Sequence, residues 1–525
     1  MIHRSNLLRG ASACALIFAI GAAPIRAQEA LPTIDIDAAA RPSADVSAAP
    51  PGFGKEKKTL PVYREPTGQT FTTVDSRNFE NVPLFTAADL LIYSPGLSFK
   101  AGNGPRDVGI SIRGSGARNG FGIRNIFMME DGFPVTQPDG LGRADAIDPH
   151  AYSGVDVYRG PSSALFGNYA NGGAINFRTF SGAEIDGFEY GAEFGSFGYI
   201  NNYLKAGKAV GDFDVSLFAS DVRGDGFTQH SQYDTQTINF KGVWSPTPTD
   251  RFTLKVVHNE LYGNLSGRLS LTQFYLNPFQ YGCVIFSAPS APACASVTVP
   301  SNGVRNPTVA VSADQAGFHR NDRRDIIGLR WEHDFDANTT WRTQAVYDDK
   351  DIDQPTGGTK ALNDVPSIQA SSDITHNGEL LGMPARHWVG VFFGRERATS
   401  YTLNTLPFGN GAGGALTQKS ENMVSNIGLR AREELALSPD VTAVLGLAGE
   451  FSRLSAFATN INYQTFAQNG VPANGLNQVP VDRAWWNAAP EASVTWRVDP
   501  RWQVYARASS GYGIPNSGQL FVNRS

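Results

Sequence analysis

From about Phe188 onward the sequence alternates with a period of two, residue by residue. Phe213, Val215, Leu217 and Ala219 interleave with Asp214, Ser216 and Phe218, and Ile238, Phe240 and Trp244 with Thr237, Asn239 and Lys241. The pattern returns at Phe252–Val256, Ala492–Val498 and Trp502–Ala508. Successive side chains of a strand point to opposite faces, so each segment predicts a strand with one apolar and one polar face. The apolar faces need a common neighbour, either a second sheet or lipid.

The connections choose between these. Tight ones at 245–250, 335–338, 438–440 and 498–501 largely alternate with long ones at about Gly263–Asp322, Gln354–Pro366 and Asn460–Asp482. Short turns on one side and long loops on the other are expected of a membrane-spanning antiparallel barrel, with lipid outside and a polar lumen. Trp244, Trp331, Trp341, Trp485, Trp486 and Trp502 suit aromatic girdles at the membrane surfaces. A mean hydropathy of −0.24 excludes a helical membrane bundle but permits a barrel. With 41% hydrophobic residues the chain is too apolar for disorder, and a net charge of −5 offers no footprint for nucleic acid.

The N-terminus places Arg4 and Arg9 before a short apolar run, Ala11–Ala23, and ends on Ile25-Arg26-Ala27. Residues 1–27 read as a secretory signal peptide, which takes Cys14 with it. The remaining Cys283 and Cys294 are separated by ten residues in a Pro/Ser/Ala-rich stretch. In an exported chain they predict one disulfide; a metal site would require further Cys or His nearby. Residues 28–60 read as a flexible tail carrying one extended apolar patch, Leu31-Pro32-Thr33-Ile34-Asp35-Ile36. That patch is suited to adding a strand to a partner's sheet edge. Residues 61–180 differ again. A helix is expected over Thr86–Ile92, stopped by Ser94-Pro95-Gly96, and short apolar runs at 108–112, 126–129, 155–158 and 174–177 alternate with glycine-rich turns. This predicts a compact mixed α/β unit.

Within that unit lie Ser111-Ile112-Arg113-Gly114, Met129-Glu130-Asp131-Gly132-Phe133-Pro134-Val135, the run Val155–Gly167 (VDVYRGPSSALFG) and Gly172-Gly173-Ala174-Ile175-Asn176. In order, spacing and position before the strand-rich region these segments resemble the plug of TonB-dependent outer-membrane receptors. The stretch RGPSSALFGNYANGGAINFRT looks most like the ferric-siderophore and iron-dicitrate branch. The resemblance implies a mainly β fold, a 22-stranded type of barrel closed by an N-terminal plug. It implies signal, tail, plug (61–180) and barrel (181–525) in that order, with Leu31–Ile36 as the TonB box. Arg113, Gly114, Asp131, Gly132, Arg159, Gly160, Pro161, Gly167, Gly172, Gly173 and Asn176 are then structural plug residues rather than catalytic ones. If buried, Arg113 and Arg159 are expected to pair with carboxylates.

The implied function is energised uptake of a nutrient too large for a porin. The cargo would be a ferric siderophore or ferric citrate, with cobalamin, haem or an oligosaccharide as the alternative. The implied partners are TonB with its inner-membrane complex, outer-membrane lipid and the barrel-assembly machinery. No cofactor is expected, since iron would arrive inside its chelator. Arg106, Arg118, Arg124 and Gln137 are candidate ligand contacts, the arginines because guanidinium groups suit an anionic chelate. About thirteen strands are legible between Phe188 and Ser510, against about 22 in plugged transporters, so a C-terminally incomplete barrel is expected. An exported β-rich enzyme would need a nucleophile elbow or a zinc-binding HExxH, and neither motif occurs. A passive porin would have no use for the plug-like unit.

Overall fold

The computed structural model describes residues 68–521 apart from 105, 117–121, 283–293, 306, 464–474 and 500. The chain divides after Ala48, and every described residue belongs to the second unit. The signal, the tail and the Leu31–Ile36 patch lie outside the described residues.

The plug is built from β1 (Thr70–Asp75), β2 (Leu97–Ala101), β3 (Val108–Ile112), β4 (Ile126–Glu130), β5 (Phe133–Pro134), β6 (Tyr152–Arg159) and β7 (Gly173–Thr179). Five of these form one sheet in the order β1-β6-β7-β4-β5, while β2 pairs with β3. The only parallel pair in the five-stranded sheet is β4 with β7. A short helix, α1 (Ala87–Leu91), lies where the sequence predicts it. Thr86 caps it and Asp89 reaches back to the Thr86 amide at 2.6 Å, a capping box. The plug core gathers Leu90, Leu91, Ile126, Met128, Phe133, Val155, Val157, Ile175 and Phe177, all buried.

The wall begins at Gly187. Its strands are β8 (Gly187–Phe194), β9 (Ile200–Val210), β10 (Phe213–Gly224), β11 (Tyr233–Trp244) and β12 (Asp250–Asn264). After a loop containing the hairpin β13 (Val297–Pro300) and β14 (Thr308–Val311) come β15 (His319–Asp334), β16 (Thr339–Thr356), β17 (Thr359–Asp364) and β18 (Ser367–Leu380). The last are β19 (Met383–Thr405), β20 (Gly413–Ser438), β21 (Val441–Ile461), β22 (Leu476–Asp499) and β23 (Trp502–Ser509). Fourteen of them form a single sheet, antiparallel throughout, that runs from β8 to β23 without those two strands pairing. Alternation sets the faces. Phe213, Val215, Leu329, Leu445 and Leu447 are exposed on the outside, while their sequence neighbours Ser216, Arg330, Val444 and Ala448 are buried against the interior.

Two expectations change, and a third gains detail. Gln354–Pro366 is not a long loop: β16 continues to Thr356, turns at Gly357-Gly358, and returns as β17, which bridges β16 and β19 beyond the end of β18. The Gly263–Asp322 connection is long but folded, with its own small core of Leu265, Val299, Val311, Ala316 and Phe318. Trp485 does not belong to a girdle. It packs inward with Val424, Leu454 and Tyr169, while Trp486 is 81% exposed. Adjacent strand residues face opposite ways, so only one of the two can meet lipid. At the short-turn end Phe213, Trp244, Phe252, Trp331 and Trp341 do form a continuous row, with ring centroids 4.9–6.0 Å apart.

Candidate functional site: the plug–wall interface

The turn between β4 and β5 is one point of attachment. Asp131 (φ 48°) and Gly132 (φ 77°) both occupy the left-handed region, the geometry of a two-residue hairpin that Asp-Gly favours. The turn carries the Asp131 carboxylate to the wall. Lys255 on β12 lies 2.7 Å from it and Lys241 on β11 lies 3.3 Å away. The Thr179 amide and hydroxyl donate to it from within the plug. Burial works against this carboxylate, but the two ammonium groups and the hydrogen bonds outweigh burial and hold its pKa well below the usual range. Lys255 also contacts Glu130, which accepts from Tyr152 and Asn239. Asn176 accepts from the Gly132 amide and donates to Asp156. This motif segment therefore reads as a latch.

The other motif residues lie at turns and close approaches. Arg113 and Gly114 form a left-handed pair after β3. The amide of Gly160 donates to the carbonyl of Gly172, and Arg507 on β23 donates to the carbonyl of Pro161 at 2.7 Å. Gly173 lies against the Tyr158 carbonyl. Gly167 (φ 75°) ends the turn after Ser163–Phe166, where a Cβ would collide with the Arg430 guanidinium of β20. Arg159 corrects an expectation. It is buried, but it donates to the Ser94 hydroxyl at 2.8 Å and the Phe71 carbonyl at 3.3 Å rather than to a carboxylate. Arg113 donates to the Thr70 hydroxyl. Arg113 is exposed, so water completes its solvation, whereas buried Arg159 is satisfied by neutral oxygens.

Of the candidate ligand contacts, Arg106 is buried and paired, while Gln137 is buried but lines the plug–wall cavity described below. Arg106 is 4% exposed and pairs with Asp148 at 3.3 Å, an acid that also accepts from Ser220 of β10. Gln137 is 2% exposed. It accepts from Lys350 of β16 and donates to the Val365 carbonyl. Gln137 fastens plug to wall directly, whereas Arg106 pairs within the plug with Asp148 and Ile147 and reaches the wall only through the Asp148–Ser220 bond. Arg124 is part-exposed, pairs with Asp139 at 3.3 Å and lies 6.0 Å from the Tyr169 ring centre. Arg118 lies outside the described residues. Cys294 is disulfide-bonded, and Cys283 lies outside the described residues.

Sequence reasoning missed a second cluster. Arg320 of β15, with no exposed side chain, contacts Asp145 of the plug and Asp322 of its own strand, with Asp107 at 3.8 Å. Its position on the polar face of β15 was readable, but its plug partners were not. The Thr136–Gly140 loop is held similarly: Gln369 donates to the Thr136 carbonyl, Asn426 to the Pro138 carbonyl, and the Asp139 amide to Glu396. Beside this loop a cavity, part of it open to solvent, lies between the plug and β16 and β18–β21.

A sheet apolar outside and polar inside, with a folded unit latched onto its polar face, defines a plugged outer-membrane receptor. The chain belongs to the TonB-dependent receptors. Residues 64–174 match the TonB-dependent receptor plug domain, and residues 286–524 match the TonB-dependent receptor-like β-barrel. This is a family of receptors and not of enzymes, and its barrels sit in the outer membrane of Gram-negative bacteria.

Solved structures share the fold. The ferric citrate transporter FecA in its unliganded form superposes with a TM-score of 0.67 at 15% identity, over 86% of this chain and 64% of that one. The ferric-catecholate import receptor Fiu of E. coli K12 gives 0.65 at 17%, over 86% and 70%. The ferric yersiniabactin uptake receptor FyuA of Yersinia pestis gives 0.64 at 12%, over 86% and 66%. The chain thus spans about two thirds of the length of these receptors.

Proposed function

We propose that this receptor takes up an anionic ferric chelate of the siderophore or ferric-citrate type across the outer membrane, energised by TonB. The observation that carries the reading is the plug seated on the polar face of the wall, fastened through Asp131, Asp148, Gln137 and Arg320. A lumen filled this way does not serve diffusion, so passage requires work on the plug. The outer membrane holds no nucleotide fuel, and a partner protein must deliver that work. Leu31–Ile36 is the segment we assign to TonB, and iron enters as cargo inside its chelator. Ferric complexes named for the solved neighbours, citrate and catecholate among them, support the cargo class. Lipid around the apolar face and the barrel-assembly machinery complete the proposed partners.

The test is uptake of radiolabelled ferric citrate and ferric catecholates by iron-starved cells that lack their own receptors and express the intact protein. Energy-dependent accumulation that is lost on deleting residues 28–40 is the expected result. Uptake that persists after that deletion, or that responds to no ferric chelate, overturns the reading.

A further inference from the structure

We infer that residues 510–521, which follow β23, form a strap that clamps the plug at Tyr169 and has to be withdrawn before the plug can part from β20–β22.

The first observation is the course of the chain. β23 ends at Ser509. The Ser510 amide makes a last bond to the wall, at the Pro490 carbonyl of β22. From there the chain turns onto the plug. The Tyr512 amide donates to the Ser163 hydroxyl at 3.3 Å. The Tyr512 carbonyl accepts from the Tyr169 amide at 2.9 Å, and the Ile514 carbonyl accepts from the Tyr169 hydroxyl at 3.2 Å. The Tyr512 hydroxyl reaches Glu450 of β21 at 3.3 Å. A helical turn, Ser517–Leu520, follows and is capped by Asn516.

The second is a matched apolar surface. Val424 of β20, Leu454 and Ala456 of β21, and Val481 of β22 are apolar yet point into the lumen, where water would wet them. Ile514 is buried among them beside Tyr169, and Leu520 and Phe521 pack against the same cluster. Burial of these side chains holds the strap down.

The third is strain. Tyr169 has φ 64°, a left-handed conformation that is costly for a bulky residue and persists only where its surroundings over-determine it. The strap holds both its amide and its hydroxyl. Gly140, at φ 83°, packs so closely on the Tyr169 ring that a Cβ there would overlap it. Gly140 closes the Thr136–Gly140 loop, which Gln369 and Glu396 hold to the wall. One strained residue thus couples the strap to that loop. With the strap lifted, both hydrogen bonds are lost, Tyr169 is free to relax, and Gly140 loses its seat. The clamp itself does not depend on the uptake reading proposed above; its part in transport does.

A reversible lock tests it. A Cβ on Gly511 would stand 3.3 Å from that of Asn171, close to the roughly 3.5–4.5 Å that a disulfide needs. Asn171→Cys with Gly511→Cys therefore ties strap to plug until reductant is added, and wild type in the same reductant is the reference. The purified intact receptor is placed in planar bilayers and its conductance followed in rising urea, which weakens burial in the wet lumen. The oxidised lock should open less than wild type, and reduction should restore it. Ile514→Ala should open roughly tenfold more at the same urea concentration, the factor expected for truncating one buried side chain. Leu447→Ala, a truncation on the lipid face, should behave as wild type. Folding of each variant is checked by its heat-modifiable migration in gels. In cells, uptake of ferric chelate should be lost in the oxidised lock and return on reduction. Failure of the cross-link to form in a folded receptor, equal opening of the oxidised and reduced lock, or wild-type opening of Ile514→Ala overturns the clamp. Uptake by the fully cross-linked receptor overturns its part in transport. Should wild type take up no ferric chelate, the uptake reading fails, and the conductance measurements still decide the clamp.

Discussion

The ammonium of Lys255, on the wall, lies 2.7 Å from the carboxylate of Asp131, in the plug, and neither side chain is open to solvent beyond about a tenth of its surface. The pair joins residues 124 positions apart in sequence. Removing one member of a buried pair strands the other, at about 3–5 kcal/mol. Lys255→Met is therefore expected to loosen the plug while leaving the wall assembled. Cells producing it should admit a glycopeptide antibiotic that the wild type excludes. Unchanged sensitivity, with normal amounts of protein in the membrane, would refute the latch.

The same carboxylate sets a pH dependence. Its pKa in the folded protein lies below the ordinary 3.8 because of Lys241, Lys255 and Thr179. A depressed acid contributes stability that is complete above its unfolded pKa and is lost as pH falls toward the folded one. Plug retention should therefore be constant from neutral pH down to about 4 and weaken below that. Conductance of the receptor in planar bilayers, titrated from pH 7 to 3, reports it. Asp131→Asn should remove the acid step and show raised conductance at every pH.

Gly167 brings the plug backbone against Arg430 at a positive φ. Gly167→Ala adds both a clash and left-handed strain, the strain alone costing about 1–3 kcal/mol. Melting of the purified receptor should fall by several degrees. An equal melting temperature would mean that Arg430 swings aside freely.

Trp485 and Trp486 are neighbours with opposite surroundings. In bilayers of brominated lipid, a receptor whose single tryptophan is Trp486 should be strongly quenched, and one retaining Trp485 alone should not. Equal quenching would reverse the inside and outside assigned to β22.

Much of this was legible because lipid imposes a strict rule. An outward stripe must be apolar, so strands such as β10, β11, β12 and β22 announce themselves by alternation. The latch turn was legible too, since Asp-Gly between two apolar runs has few other uses. What escaped were facts of mutual burial. Arg106 and Gln137 look like exposed recognition residues until the wall closes over them. Arg320 has partners from residues 107 and 145, which no local pattern connects to it. Strand β17 was read as a loop because Gly357-Gly358 and the surrounding prolines mask its pairing. The cavity has no sequence signature at all, being a space left between two bodies.

That space divides the mechanical fate of the two sides of the plug. Toward β10, β12, β15 and β16, Phe218, Val257, Ile326 and Val346 merge with the plug's own core. Parting them exposes one continuous oily surface, a cost that rises together and resists until it gives. Toward β18 and β19 the bodies touch through separate polar bridges beside a void, at Gln369 and Glu396. Such bridges can be exchanged one at a time for water or cargo. A pull on the plug thus meets a hinge on one flank and a row of independent catches on the other, and the motion it favours is a swing.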